Sequence, residues 1–158
     1  MNDELVKVCL GGSLEAVKRF VAESGMTPAD VLASGALRTT CVEGLRDIAI
    51  WLTLEFNLAE AARVDGRLDI DVTDALREVC EIGILGVARW LVPTFGITLN
   101  DLREFEYDEA IFVYVCRKGM LSVAQWFAAE FKLTAADIRA YGDLHCGDKQ
   151  VVEWLASM

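Results

Sequence analysis

The string CEIGILGVARWLVPTFGITLND at Cys80–Asp101 returns, degraded but in register, as CRKGMLSVAQWFAAEFKLTAAD at Cys116–Asp137. The same frame fits CLGGSLEAVKRFVAESGMTPAD at Cys9–Asp30 and CVEGLRDIAIWLTLEFNLAEAA at Cys41–Ala62, and a shortened copy, DKQVVEWLASM, surrounds Trp154. Successive register cysteines lie 32, 39 and 36 residues apart. A unit of that size cannot bury its apolar face alone, so stacked neighbours must share one core. The repeat predicts an all-α helical solenoid of about five helix-turn-helix copies with short helical connectors. The copies run over 2–34, 35–72, 73–106, 107–138 and 139–158, in a single domain spanning 1–158.

Within the third copy, Leu76, Val79 and Cys80 recur at helical spacing, Gly83 interrupts, and Leu85, Ala88 and Leu91 begin a second stripe. Gly12, Gly44, Gly83 and Gly119 each fall three residues after the register cysteine, where two antiparallel helices need a turn. First helices are expected over Asn2–Leu10, Ala36–Val42, Thr73–Glu81 and Asp108–Arg117, each followed by a longer one. The aromatic row Trp51, Trp90, Trp126 and Trp154 is expected in the core. After the second helix, Thr27-Pro-Ala-Asp30, Thr98-Leu-Asn-Asp101 and Thr134-Ala-Ala-Asp137 have the spacing of a capping box, which predicts a short third helix. The second copy departs, reading Ala59-Glu-Ala-Ala62, and is followed by VDGRLDIDVTD, expected to be a solvated loop with Leu68, Ile70 and Val72 tucked inward.

Charge narrows the function. Fifteen Lys and Arg stand against 25 Asp and Glu, and a formal net charge of −10 repels phosphate backbones and anionic lipid. Neither nucleic acid nor membrane is expected as a partner. The N-terminus MNDELVKV is acidic where a targeting signal would be basic, and apolar runs such as AIFVYVC are too short to span a bilayer, so an intracellular, cytoplasmic or nuclear place is expected. Cys9, Cys41, Cys80 and Cys116 share one register position and read as small, buried, reduced thiols at helix contacts.

Catalytic signals are weak. His145 and Cys146 are sequence neighbours, which is poor geometry for a nucleophile and its base. Asp65, Asp69, Asp71 and Asp74 cluster oxygen ligands, but the Asp-Gly comes first and the spacing fails for a calcium loop, leaving metal binding as the lesser alternative to a solvated loop. No catalytic residue, cofactor or metal is implied, and the chain reads as no enzyme.

The pattern C-x-x-G-x-L-x-V-x-x-W-L, followed by F-G-I/L-T-x-x-D, resembles ankyrin-type repeats, particularly the divergent arrays of protists and giant DNA viruses. In the third copy Leu76, Val79 and Cys80 match the ankyrin first helix, and Gly83, Leu85, Val87, Ala88 and Leu91 the second. No copy has the T-P-L-H start, and capped helical turns stand where β-hairpin fingers would be. The resemblance implies a protein-protein interaction scaffold or adaptor without catalysis, holding its partner on the concave face of the first helices. Carried onto this sequence, that face is Lys7, Arg38, Thr39, Arg77, Glu78, Val113 and Tyr114. Tyr114 reads either as an interface anchor or as packing against the next copy. The scaffold is expected to be monomeric in isolation; the alternative is a structural or self-assembling repeat protein, such as a virion or cytoskeletal component.

Overall fold

A computed structural model describes residues 2–158. The described residues are all-α apart from one small hairpin. Its elements run α1 (Asn2–Leu10), α2 (Leu14–Ser24), α3 (Pro28–Ala33), α4 (Ala36–Val42), α5 (Arg46–Glu55), α6 (Leu58–Ala61), β1 (Arg63–Val64) and β2 (Arg67–Leu68). They continue with α7 (Ile70–Ile82), α8 (Leu85–Phe95), α9 (Leu99–Arg103), α10 (Tyr107–Arg117), α11 (Leu121–Glu130), α12 (Ala135–Ala140) and α13 (Lys149–Ser157). Two helices followed by a short third make an order that recurs four times before α13. Among the described residues no helix is long and apolar enough to cross a membrane.

In three of the four sets the turn between the first two helices has one chemistry. After α4, α7 and α10 the amides of Leu45, Ile84 and Met120 donate back to the carbonyls of Thr40, Val79 and Val115 at 2.8, 2.8 and 2.9 Å. This backward bond satisfies carbonyls left open at a helix end, and it needs a left-handed residue before it. Gly83, at φ 83°, supplies that conformation without a Cβ penalty.

The short third helices begin on the expected boxes. Thr27, Thr98 and Thr134 accept from the amides of Asp30, Asp101 and Asp137, whose carboxylates accept from the threonine amides at 2.8 Å in each case. Asp101 is buried, so this box is the least replaceable by water. Thr98→Ala is expected to cost about 1–2 kcal/mol, the upper range for a lost N-cap, measured as a lower urea midpoint at unchanged slope. In the second set Asn57 takes the cap position at φ 47°, and its Nδ2 donates to Glu60 at 2.7 Å.

α1 and α4 occupy their expected ranges, and α10 begins one residue early. The connector before α7 differs from a plain solvated loop. Arg63 pairs with Leu68 and Val64 with Arg67, closed by Asp65 and Gly66 at φ 50° and 81°. Two consecutive positive φ angles match the twist of a two-residue hairpin. Asp69 then caps α7, accepting from the Asp71 amide at 2.8 Å, so the helix starts at Ile70. Leu68 and Val72 are buried as expected; Ile70 is not, being half exposed in the first turn.

The chain divides into two compact units, Met1–Ile97 and Thr98–Met158. In the first, α1 packs on α4 and α4 on α7, while α2 meets α5 and α3 meets α6. Leu5, Cys9, Leu37, Cys41, Leu76 and Cys80 are fully buried along these helices. In the second, Phe112 of α10 is fully buried, with ring centroids of Phe127, Tyr141 and Trp154 at 6.2, 5.8 and 6.3 Å. The tryptophan row is core only in part: Trp126 is buried, while Trp51, Trp90 and Trp154 are half-buried. A large indole is often buried mostly rather than wholly.

Candidate functional site

Helices α4 and α7 bury one side and carry charge on the other. From α4, Arg38 reaches to α7, with Nε 3.9 Å from Asp71 Oδ1 and Nη1 3.5 Å from Asp74 Oδ2 and 3.9 Å from Glu78 Oε1. Arg77 continues the network: Nη2 lies 3.6 Å from Asp74 Oδ1 and 3.3 Å from Glu78 Oε1, and Nη1 lies 3.1 Å from Glu81 Oε2. Each partly exposed pair contributes ~0–1 kcal/mol in water. Their joint effect is orientation, because the planar guanidinium fork fixes direction as well as distance. Four carboxylates against two guanidinium groups leave the patch negative.

Asp71 is the tightest member. Its side chain is 12% exposed, and Oδ2 is buried with no hydrogen-bond partner. Burial pushes its carboxyl up to about 6; Arg38 pulls the other way, and Asp69 and Asp74 add to the rise. Beside it opens a cleft of about 640 Å³, with Leu32, Val64 and Ile70 among its apolar walls and Arg38, Asp69, Asp71 and Asp74 among its polar ones. Among the described residues no group of three or more His, Cys, Asp or Glu could hold a metal ion.

In the second unit, α10 presents Val113, half-buried, and Tyr114, 37% exposed. Lys118 Nζ sits 5.7 Å from the Tyr114 ring centroid, a cation over an aromatic face. Val113 and Tyr114 line a depression of about 480 Å³ together with Glu106, Glu109, Ala110 and Arg117. On the same helix, Asp108 is buried and bound by Arg103 Nε at 3.2 Å and by the Tyr141 hydroxyl at 3.0 Å. Burial and donation to Asp108 raise the Tyr141 phenol, so it stays a donor.

Of the residues expected on the face, Arg38, Arg77 and Glu78 are joined in one network, and Val113 and Tyr114 share one depression. Lys7 stands exposed in the last turn of α1, and Thr39 is half-buried on α4. Asp71, Asp74 and Glu81 belong to the same network but were not on the expected face. Asp74 and Glu81 lie three before and four after Arg77, helical offsets that are a signal present in the sequence. His145 and Cys146 lie outside any helix, and His145 Nδ1 is 3.2 Å from Asp143 Oδ2 in the open.

No family model, curated protein or solved structure matches the chain. What its fold and surface define together is an all-α protein with a fixed, charged side on its first helices.

Proposed function

We propose that this chain is an ankyrin-like helical-repeat scaffold that binds another protein on the exposed side of its first helices and performs no catalysis. The recurring element order, the shared backward-bonded turns and the row α1, α4, α7 support a stack of repeats. The observation that carries the reading is the Arg38–Arg77 network with its carboxylates, a set of charges held in place on an outward side. Fixed charges lose little freedom on docking, so they favour a partner of complementary pattern.

Tyr114 is the anchor on α10, being large, amphipathic and accessible. Immobilised wild-type chain should capture a partner from an extract of its source, and Tyr114→Ala should weaken that capture about 10-fold or more, the range of an interface anchor. Its thermal melt should stay within a few degrees of wild type, corresponding to less than about 1 kcal/mol. Unchanged capture with a much lower melting temperature would place Tyr114 in the core and remove it as an anchor. Light scattering adds a second readout, since a self-assembling structural protein would be polydisperse or oligomeric alone.

A further inference from the structure

Cys9, Cys41 and Cys80 are fully buried in the first unit, their thiols pushed well above the ordinary range by that burial. The second unit holds a different arrangement. Cys146 lies between α12 and α13, out of register with the four repeat cysteines, and is half-buried rather than enclosed. Its Sγ donates to the Leu144 carbonyl at 3.8 Å, and it lies close enough to the fully buried thiol of Cys116, in the last turn of α10, for each to act on the other electrostatically.

Two contacts clamp the segments together on either side of that sulfur pair. Two residues before Cys146, the carbonyl of buried Leu144 accepts from Arg117 Nε at 3.2 Å. Two residues after it, Asp148 packs on Gly119 so closely that a Cβ at position 119 would lie 3.1 Å from the Asp148 Cβ. The segment 144–148 is therefore held against the residues that follow Cys116.

We propose that Cys116 and Cys146 are a reversible disulfide site, at which a low-molecular-weight disulfide such as oxidised glutathione latches the segment before α13 to the end of α10. The inference is independent of the docking surface. Cys146, the more accessible thiol, loses its proton and attacks one sulfur of the oxidant. The oxidant's S–S bond breaks, and the first glutathione leaves as a thiolate that takes up a proton. Cys116, deprotonated in turn, attacks the Cys146 sulfur and displaces the second glutathione. Two protein thiols are thereby oxidised by two electrons, and one oxidised glutathione becomes two reduced molecules.

Holding segment 144–148 against the end of α10 makes the second step intramolecular, which favours it over attack by free thiol. The first step is slowed at neutral pH, because burial, Asp143 and Asp148 raise the Cys146 thiol against the pull of Cys116 and Arg117. The Cys116 thiol is itself pushed to about 12 by burial. Latching should accordingly speed up as pH rises. The closed ring spans 116–146, and restricting the unfolded chain over that length should raise the melting temperature of the oxidised protein.

The experiment treats the full chain with oxidised glutathione under native conditions at mildly alkaline pH, then alkylates in denaturant and maps peptides by mass spectrometry. Free thiols should fall from the five of the reduced chain to three, with one cross-linked peptide joining Cys116 to Cys146 and full recovery on reduction. Cys146→Ser should give no cross-link, and Cys116→Ser should stop at a stable glutathione adduct on Cys146. The proposal is overturned if wild type keeps Cys116 free beside a persistent Cys146 adduct, if all five thiols stay free, or if cross-links form elsewhere.

Discussion

Replacing Phe112 with alanine is expected to destabilise the second unit by about 3–5 kcal/mol, the range for deleting a buried aromatic ring. Phe112 is wholly excluded from water, and its ring meets Phe127 on α11, Tyr141 after α12 and Trp154 on α13. Three rings, from three different parts of the chain, thus lean on one side chain. The cavity left behind is walled by rings, which cannot collapse into it without breaking their own contacts, including the Tyr141 hydroxyl's bond to Asp108. Trp90→Ala provides the contrast: Trp90 is half-buried, with Phe95 edge-on at 6.3 Å and 87°, and should cost less. Urea unfolding of both variants, followed by far-UV and near-UV dichroism, measures the difference. A Phe112→Ala loss below about 1 kcal/mol, typical of surface substitutions, would show that these rings do not enclose it.

That contrast shows where the sequence was legible and where it was not. The helix order, the glycine turns and the Thr-x-x-Asp boxes could be read because each depends on residues within a few positions of one another. Cys9, Cys41, Cys80 and Cys116 could be placed inside because four register positions repeat one small apolar residue. The degree of burial of a tryptophan depends on how neighbouring elements cover it, which spacing alone does not state. The start of α7 was hidden for a different reason. Asp69, Asp71 and Asp74 look like a solvated acidic run, whereas one of them caps the helix and two face Arg38 a full repeat earlier. Only the packing of α4 on α7 brings those charges together. The Asp65-Gly66 hairpin turn was within reach of local rules, but two strand residues on each side make too short a run to signal a strand.

Acidifying the protein from about pH 7.5 to about pH 5 should make it more stable, by about 1.4 kcal/mol through Asp71. In the unfolded chain this aspartate titrates near its ordinary 3.8; folded, it titrates at about 6. Between those values the folded state holds a proton that the unfolded state has released. The stabilisation is therefore complete below the unfolded value and is lost as pH rises through the folded one. Physically, protonation removes a buried charge whose Oδ2 accepts no hydrogen bond. Asp30 and Asp137 work in the opposite sense, because bonds from Thr27 and Thr134 hold their carboxyls below the ordinary value. Their support is present at neutral pH and fades only as pH falls through those lowered values, so stability should pass through a maximum on the acid side of neutrality. Urea midpoints collected across this pH range test the sign. Asp71→Asn should flatten the rise, and Arg38→Gln should steepen it, since Arg38 is the one group holding the Asp71 carboxyl down through charge. A wild-type profile that is flat or falling from neutral pH to about pH 5, and that Asp71→Asn leaves unchanged, would mean that Asp71 is solvated and that the α4–α7 network does not enclose it.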